Sequence, residues 1–192
     1  MNTISVMIVG VGGQGTLLAS KVLGQALVSM DYDVKVSEVH GMSQRGGSVV
    51  TYVRYGDEVH SPIVDLGEAD YMLAFEPLEA ARYLPYLKKD GVIITNTRET
   101  MPMPVITGAA AYPENIVEKL KARANVVALD AMQLALEAGN PKAVNMVLMG
   151  VLAARMDLPE EVWQAALTKQ VPAKFLELNR RAFALGQAQK GV

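Results

Sequence analysis

The chain has 192 residues, of which 51% are hydrophobic and 20% charged, so it is long and apolar enough to fold around a core. Its net charge of −2 and pI of about 5.7 leave no surplus of cations to neutralise a phosphate backbone, and we expect no nucleic-acid partner. Because cysteine is absent, the chain has no disulfide, catalytic thiol or thiolate ligand for an iron–sulfur cluster. His40 and His60 are the only histidines, so we expect no metal site either.

The terminal and most apolar segments indicate a cytoplasmic protein. The N-terminus lacks the basic segment of a signal peptide and runs directly into an apolar strand. The most apolar predicted helix, residues 143–154, is too short to cross a membrane, which takes roughly 20 residues. We therefore expect no membrane partner, and we interpret the 11 methionines as core residues rather than metal ligands.

The first 130 residues alternate short apolar strands with helices, which is typical of a three-layer, Rossmann-like α/β fold with a mostly parallel sheet. Residues 48–55 follow a strict period of two, and a turn at Gly56-Asp57 predicts that residues 58–61 pair back as a hairpin. In chain order we predict strand 4–9, helix 16–30, strand 34–37, strand 48–55, strand 71–75, helix 78–87, strand 92–95, a loop or irregular strand over 96–108, helix 113–124 and strand 125–129.

The remaining residues predict a helical section. Asp130 is an expected N-cap, with Gln133 three residues later as in a capping box. Residues 143–154 are apolar nearly all round and should be buried, and further helices begin near residues 158–161 and at Pro172. The simplest interpretation is one domain over 1–192, with an α/β core over about 1–130 and a helical section over about 131–192.

A glycine-rich turn follows the first strand in the stretch "GVGGQGTLLASKVL", which fits G-x-G-x-x-G with one extra glycine. Glycine tolerates a positive φ and allows a ligand close to the backbone. The helix behind it presents free N–H groups and the positive end of its dipole. The alternative is that the glycines serve only a tight turn. The predicted anion-binding residues are Gly12, Gly13, Gln14, Gly15 and Thr16.

Ligands of open α/β sheets bind beyond the carboxyl ends of the parallel strands. In this chain those ends are expected to place the glycine turn, residues 38–45, Glu76, Asn96 and Asp130 along one edge of the sheet. Glu76 also has a simpler explanation, because an acid at a helix N-terminus is stabilising by itself.

The polar loop after the second strand is unusual for a dinucleotide-binding fold. Glu38 lies further from the glycines than a ribose-binding acid normally does, and we favour a solvated acid. His40 has no nucleophile pattern around it, which favours a structural or interface role over that of a general base. Arg45 suits either a bidentate contact to an anion or a brace within its own loop, and both alternatives stay open.

Three stretches together resemble the gamma domain of 2-oxoacid:ferredoxin oxidoreductases, most closely the branch that acts on indolepyruvate. They read "GVGGQGTLLASKVLGQA", "SEVHGMSQRGGSVVTYVRYG" and "SPIVDLGEADYMLAFEPLEAARYLPYL". The resemblance is strong over residues 4–96 and returns with "NMVLMGVLAA" at Asn145 and "KFLELNRRAFALG" at Lys174. Little resemblance is seen over residues 96–130.

The resemblance implies a subunit that is inactive alone and binds no cofactor alone. A partner alpha-type subunit would carry thiamine diphosphate, Mg and iron–sulfur clusters, convert a 2-oxoacid to an acyl-CoA, and pass electrons to ferredoxin. The loop over 38–47 has many hydrogen-bond donors and little apolar content, which favours a contact outside the domain. We expect this loop to face the partner subunit or the entrance for coenzyme A, through Glu38, His40, Ser43, Gln44, Arg45, Gly46 and Gly47.

Two other functions remain open. One is a self-sufficient NAD(P)-binding oxidoreductase, although nothing after the Rossmann-like part resembles a substrate domain with a catalytic acid or base. The other is a non-enzymatic binding or scaffold protein. An isolated chain that forms a homodimer is compatible with each of the three functions.

Overall fold

The computed structural model describes residues 3–38 and 46–189. The described residues form one six-stranded sheet in the order β2-β3-β1-β4-β5-β6. The polar segment after β2 separates the first two strands of the chain from β3, and helices separate most of the later ones. The strands are β1 Ile4–Val11, β2 Asp33–Glu38, β3 Ser48–Gly56, β4 Ala69–Ala74, β5 Leu87–Asn96 and β6 Asn125–Leu129.

The sheet is mostly parallel, as predicted, with one antiparallel strand inside it. Strands β1, β4, β5 and β6 run parallel, whereas β3 is antiparallel to both β1 and β2. Strand β2 therefore runs in the direction of β1 but lies one strand further away. As a result, the carboxyl ends of five strands and the beginning of β3 meet at one edge, which we call the carboxyl edge.

The predicted hairpin over residues 58–61 is wrong. Strand β3 pairs along one side with β1, where Val11 faces Ser48, and along the other side with β2, where Glu38 faces Thr51. Both sides of β3 are thus occupied, so no backbone donors or acceptors are left for a returning segment. Residues 58–61 accordingly contain no strand.

The helices follow the predicted order with shorter bounds. The predicted helix over 78–87 stops at Tyr83, because Pro85 has no N–H to continue the α-helical bonds, and β5 begins at Leu87 rather than at residue 92. The segment predicted as a loop or irregular strand contains a short helix. The helices are α1 Thr16–Val28, α2 Pro77–Tyr83, α3 Met103–Ile106, α4 Ile116–Lys121, α5 Ala131–Ala138, α6 Val144–Ala153, α7 Glu160–Gln170 and α8 Leu176–Gln187, with 3-10 turns at Leu84–Tyr86, Pro141–Ala143 and Ala173–Phe175.

Helices cover both faces of the sheet, which confirms the three-layer prediction. On one face, Ile8 of β1 belongs to the same apolar core as Leu23 of α1 and Phe183 of α8. On the other face, Met7 of β1 packs in a second core with Leu120 of α4 and residues of α2. Alternate residues of β1 thus enter opposite cores, as the period of a strand requires.

The helical section depends on a close crossing of α6 and α8. Helix α6 is buried from Asn145 to Ala153, as predicted from its apolar composition. A Cβ atom at Gly150 would lie 2.0 Å from the Phe183 carbonyl oxygen, and one at Gly186 would lie 2.0 Å from the Val147 carbonyl oxygen. The two backbones are therefore in direct contact, and each glycine leaves room for the carbonyl of the other helix.

We expect Gly150→Ala to destabilise the fold, because the new methyl group forces α6 and α8 apart. Overpacking of this kind typically costs about 1–3 kcal/mol, and each kcal/mol lowers the melting temperature of a chain this long by about 2–4 °C. Gly24→Ala in α1 is the matched control, since its Cβ would lie 4.0 Å from Val36 and it should be neutral or slightly stabilising. Equal melting temperatures for the two variants, measured by calorimetry, would contradict the expectation.

Candidate functional site

Of the segments predicted at the carboxyl edge, the structure brings together the glycine turn and the ends of β4, β5 and β6. The Gly12 N–H donates to the Gly47 carbonyl oxygen at 2.9 Å, which joins the glycine turn to the start of β3. Further along the edge, the Phe75 N–H donates to the Val9 carbonyl oxygen at 2.9 Å. The Asn96 side-chain oxygen accepts from the Ala131 N–H at 3.1 Å. These bonds confirm that the ends of β1, β4, β5 and β6 are neighbours.

The glycine turn is braced from two sides. The Gln14 side-chain oxygen accepts from the Val11 N–H at 2.7 Å, so this side chain closes the turn itself. From α6, the Asn145 amide donates to the Gly15 carbonyl oxygen at 3.2 Å. Gly15 is the N-cap of α1 with a φ of 88°, and a Cβ there would lie 2.7 Å from the Asn145 amide nitrogen. Only glycine suits this position, and it leaves the first turn of α1 without a side-chain cap.

A cleft of about 610 Å³ opens beside the glycine turn. This volume is within the range of small-molecule sites, about 300–1,000 Å³. The backbone of the turn forms one wall, the segment after β5 forms a second, and the 3-10 turn before α6 forms a third. The lining residues are Gly13, Gln14, Gly15, Phe75, Asn96, Arg98, Thr100, Met132, Pro141, Lys142 and Val144.

Two cations give the cleft its electrostatic character. The side chains of Arg98 and Lys142 are exposed, and neither has a hydrogen bond or ion pair with another side chain in the described part of the protein. They lie on separate walls of the cleft, whose third wall carries the positive end of the α1 dipole. Phe75 and Met132 add apolar surface. This arrangement suits a ligand that carries anionic groups on a partly apolar framework.

Three of the five predicted anion-binding residues of the glycine turn line the cleft, and two do not. Gly13, Gln14 and Gly15 line the cleft. The Gly12 N–H already donates to the Gly47 carbonyl oxygen. Thr16 is the first residue of α1 and does not line the cleft. Anion contact by Gly12 therefore needs the Gly47 bond to break.

The predicted loop over 38–47 is only partly described. Gly46 is exposed with a φ of 95°, and Gly47 is half-buried against the glycine turn. The remaining predicted residues of this loop, His40, Ser43, Gln44 and Arg45, lie outside the described residues.

The interpretation of Glu38 as a solvated acid is wrong. Its side chain is half-buried and accepts a hydrogen bond from the Ser20 hydroxyl of α1 at 2.7 Å. The reason is that the end of β2 packs against α1. A ribose-binding role is also disfavoured, because β3 lies between β1 and β2 and sets their ends about 9–10 Å apart, two strand spacings instead of one.

Glu76 does more than stabilise a helix N-terminus. It is the N-cap of α2 and accepts from the Glu79 N–H at 3.0 Å. Its other carboxylate oxygen accepts from the Thr100 N–H at 3.3 Å and from the Tyr112 hydroxyl. The residue is only 1% exposed. Burial raises the pKa of the Glu76 carboxyl above its ordinary value, although these donors act in the opposite direction.

Neighbouring groups are coupled to this buried carboxylate. The pKa of the Tyr112 phenol is raised by burial and by its hydrogen bond to Glu76. Glu79, which is 4% exposed, accepts from the Ser48 hydroxyl at the start of β3 and from Arg82. The α2 N-terminus therefore holds both the segment after β5 and the start of β3.

Several residues of the site were not predicted from the sequence. Arg98 lies two residues after the end of β5. The rule that ligands bind beyond the carboxyl ends of strands therefore also applies to it, although the prediction stopped at Asn96. Lys142, Asn145 and Tyr112 reach the site from segments distant in sequence, and no local pattern marks them. In the described ranges, 3–38 and 46–189, no three acidic or histidine side chains gather as metal ligands. No helix in those ranges has the length and apolarity needed to span a membrane.

Comparison with known proteins identifies the fold's family. Residues 5–189 match the family described as pyruvate ferredoxin/flavodoxin oxidoreductase. The chain belongs to this family. Within it, the protein named indolepyruvate oxidoreductase subunit IorB from Thermococcus kodakarensis is 45% identical over 193 residues, which covers 97% of this chain and 95% of that protein. The resemblance predicted from the sequence motifs is confirmed.

Solved structures of this oxidoreductase family share the fold. The gamma subunit of a keto/oxoacid ferredoxin oxidoreductase from Geobacter sulfurreducens superposes with a TM-score of 0.72 at 24% identity, covering 97% of this chain and 98% of that one. A 2-oxoglutarate:ferredoxin oxidoreductase from Magnetococcus marinus, solved with coenzyme A bound, has a TM-score of 0.71 at 17% identity. That match covers 99% of this chain but 31% of the other, so the same fold is there part of a longer chain.

The raised pKa of Glu76 predicts a pH-dependent stability. Because the folded chain holds this proton to higher pH than the unfolded chain, the stabilisation is complete below the ordinary glutamate pKa and is lost as the pH rises through the folded pKa. Urea unfolding from pH 4 to pH 8 should show that the wild-type free energy of unfolding falls relative to that of Glu76→Gln. The assignment would be contradicted if the free energy of unfolding of the wild type, minus that of Glu76→Gln, stayed constant or became more positive as the pH rises.

Proposed function

We propose that this chain is the small subunit of a 2-oxoacid:ferredoxin oxidoreductase that acts on indolepyruvate or a related arylpyruvate. The observation that carries the proposal is the 45% identity, over 97% of the chain, to a protein named as an indolepyruvate oxidoreductase subunit. The larger partner subunit holds thiamine diphosphate, Mg and iron–sulfur clusters. It decarboxylates the 2-oxoacid oxidatively, forms an acyl-CoA and transfers the electrons to ferredoxin. The complex works in the cytoplasm.

The chemistry of the chain supports this division of roles. Its 192 residues include no cysteine, so it supplies no thiolate for an iron–sulfur cluster. What it offers at the carboxyl edge is a cationic cleft with apolar walls, which binds and orients a ligand rather than transferring electrons. We therefore assign the redox steps to the partner and a binding role to this chain.

Coenzyme A is the ligand that we propose for the cleft. When bound, it supplies the thiol that takes up the acyl group. Its phosphate and diphosphate groups match Arg98, Lys142 and the uncapped first turn of α1, while Phe75 and Met132 offer apolar contact. The fold also occurs in the Magnetococcus marinus enzyme whose structure contains coenzyme A.

The loop over 38–47 is proposed to face the partner subunit or the entrance for coenzyme A. The support from the described residues is the Gly12–Gly47 hydrogen bond, which holds the end of this loop beside the glycine turn. A contact made outside the domain also explains a segment rich in donors and poor in apolar side chains.

The proposal is tested by expressing the chain alone and together with the larger subunit. We expect the complex to reduce a viologen dye with indolepyruvate in the presence of coenzyme A, and the isolated chain to reduce none. Arg45→Ala should weaken assembly or raise the KM for coenzyme A, with little change in the melting temperature of the isolated chain. Viologen reduction by the chain alone would refute the subunit role. Micromolar NADH affinity, measured by fluorescence, would instead favour a nicotinamide-dependent enzyme.

We expect Arg98→Gln and Lys142→Gln each to raise the KM for coenzyme A about tenfold. This corresponds to losing one hydrogen bond to a charged group, about 1.5 kcal/mol, and turnover at saturating coenzyme A should change little. Lys121→Gln is the matched control, because it removes a cation from α4, which does not line the cleft. If the Arg98 and Lys142 variants behave like the control in steady-state kinetics, coenzyme A does not bind there.

A further inference from the structure

We propose that Glu76 is a positioning residue, whose carboxylate fixes the wall of the cleft that carries Arg98 and thereby sets the affinity for the anionic ligand. The identity of that ligand rests on the proposed function, whereas the positioning role rests on the contacts of this chain alone. Glu76 does not itself line the cleft. It acts through Thr100 and Tyr112.

One carboxylate connects three segments that are distant in sequence. One oxygen accepts from the Glu79 N–H at the start of α2. The other accepts from the Thr100 N–H, 24 residues away, and from the Tyr112 hydroxyl, 36 residues away. Glu76 lies two residues after the end of β4, and the Phe75 N–H before it donates to the Val9 carbonyl oxygen of β1, so the sheet holds the backbone that leads into Glu76. The carboxylate therefore transfers the rigidity of the sheet to the segment between β5 and α4.

This segment has few other anchors near the cleft. The Thr97 N–H donates to the Leu129 carbonyl oxygen at 2.9 Å, and Glu76 provides the next anchor at Thr100. Arg98 lies between these two points. The bond from Thr100 to Glu76 thus fixes the short stretch of backbone that carries the Arg98 side chain into the cleft wall.

The residues beyond Thr100 do not fix the segment by packing. From 101 to 111 there is no charged side chain, and all but Pro102 and Val105 are exposed. Met103 is 65% exposed and Ile106 is 64% exposed. Because so little apolar surface is buried here, the Thr100 end of this stretch depends on its bond to Glu76, whereas Tyr112 at the other end also packs against the second core.

Replacing the Glu76 carboxylate with an amide removes one hydrogen-bond acceptor and leaves the size of the side chain unchanged. Glutamine has one acceptor oxygen, whereas the two oxygens of Glu76 accept from two backbone N–H groups, of Glu79 and Thr100. In either orientation of the amide, its NH₂ group faces one of these N–H donors. Glu76→Gln must therefore release the cap of α2 or the wall of the cleft, while Tyr112→Phe removes one bond to the segment and leaves the cap intact.

The test compares Glu76→Gln and Tyr112→Phe with Asp70→Asn. Asp70 is a matched control at the opposite edge of the sheet, where its carboxylate accepts from the Ser5 N–H at 2.8 Å and pairs with Lys88. In the full chain we would measure hydrogen exchange over 97–112 and the Kd for inorganic pyrophosphate. In the assembled enzyme we would measure the KM for coenzyme A, the KM for the 2-oxoacid and kcat.

We expect Tyr112→Phe to accelerate exchange over 97–112 and to raise the pyrophosphate Kd and the coenzyme A KM about threefold. Glu76→Gln should raise the same quantities about fivefold to tenfold where its NH₂ group faces Thr100, and should instead accelerate exchange at the start of α2 where that group faces Glu79. In both variants kcat and the 2-oxoacid KM should stay within twofold. Asp70→Asn should lower the melting temperature without moving either affinity. If Glu76→Gln fails to fold, the exchange rates, pyrophosphate Kd and coenzyme A KM of Tyr112→Phe decide whether Glu76 positions the cleft wall.

Unchanged pyrophosphate Kd and coenzyme A KM in both variants would overturn the proposal, as would equal changes in Asp70→Asn. Should the wild-type chain bind pyrophosphate too weakly to measure, the coenzyme A KM decides. A wild-type complex that oxidises no 2-oxoacid would count against the proposed function. In that case the exchange rates and pyrophosphate affinities of the full chain still decide the role of Glu76, and no pyrophosphate binding by the chain would then overturn it.

Discussion

The antiparallel pairing of β3 with β1 sets the geometry on which the candidate site depends. It places Ser48 opposite Val11 and brings the Gly47 carbonyl oxygen to the Gly12 N–H. The same pairing moves β2 one strand away from β1, so Glu38 ends up against α1 rather than beside the glycine turn. The glycine turn before α1, for which we propose an anion, therefore lacks the neighbour that a dinucleotide fold uses for the ribose.

An open cationic cleft has physical properties that suit a subunit better than an enzyme working alone. Arg98 and Lys142 are exposed, so solvent screens their attraction for an anion. For unit charges 4 Å apart, that attraction is about 1 kcal/mol in water and about 4 kcal/mol at an effective dielectric constant of 20. A partner that covers the cleft and excludes water would strengthen both contacts without any change in this chain. Ligand affinity and assembly would then be coupled.

Local patterns predicted the parts of the fold that depend on neighbouring residues. The period of two in β3, the glycine turn before α1 and the apolar composition of α6 each reflect local sequence. The hairpin over 58–61 failed because β1 and β2 occupy the two edges of β3, and no local pattern reveals which strands pair. Within the site, the glycine turn was predicted, whereas Lys142 was missed because the fold brings it there from a distant segment. The order of strands, and with it the contents of the cleft, is a long-range property.

The two cations of the cleft depend on different supports. Lys142 lies on a 3-10 turn that runs into α6, whose position against α8 is fixed where Gly150 meets the Phe183 carbonyl and Gly186 meets the Val147 carbonyl. Arg98 lies on a segment whose nearest anchors are a strand-end hydrogen bond and the Glu76 carboxylate. The first support belongs to the apolar core, so disturbing it destabilises the whole fold. The second rests on single hydrogen bonds at the edge, so the position of Arg98 can change there while both cores stay intact.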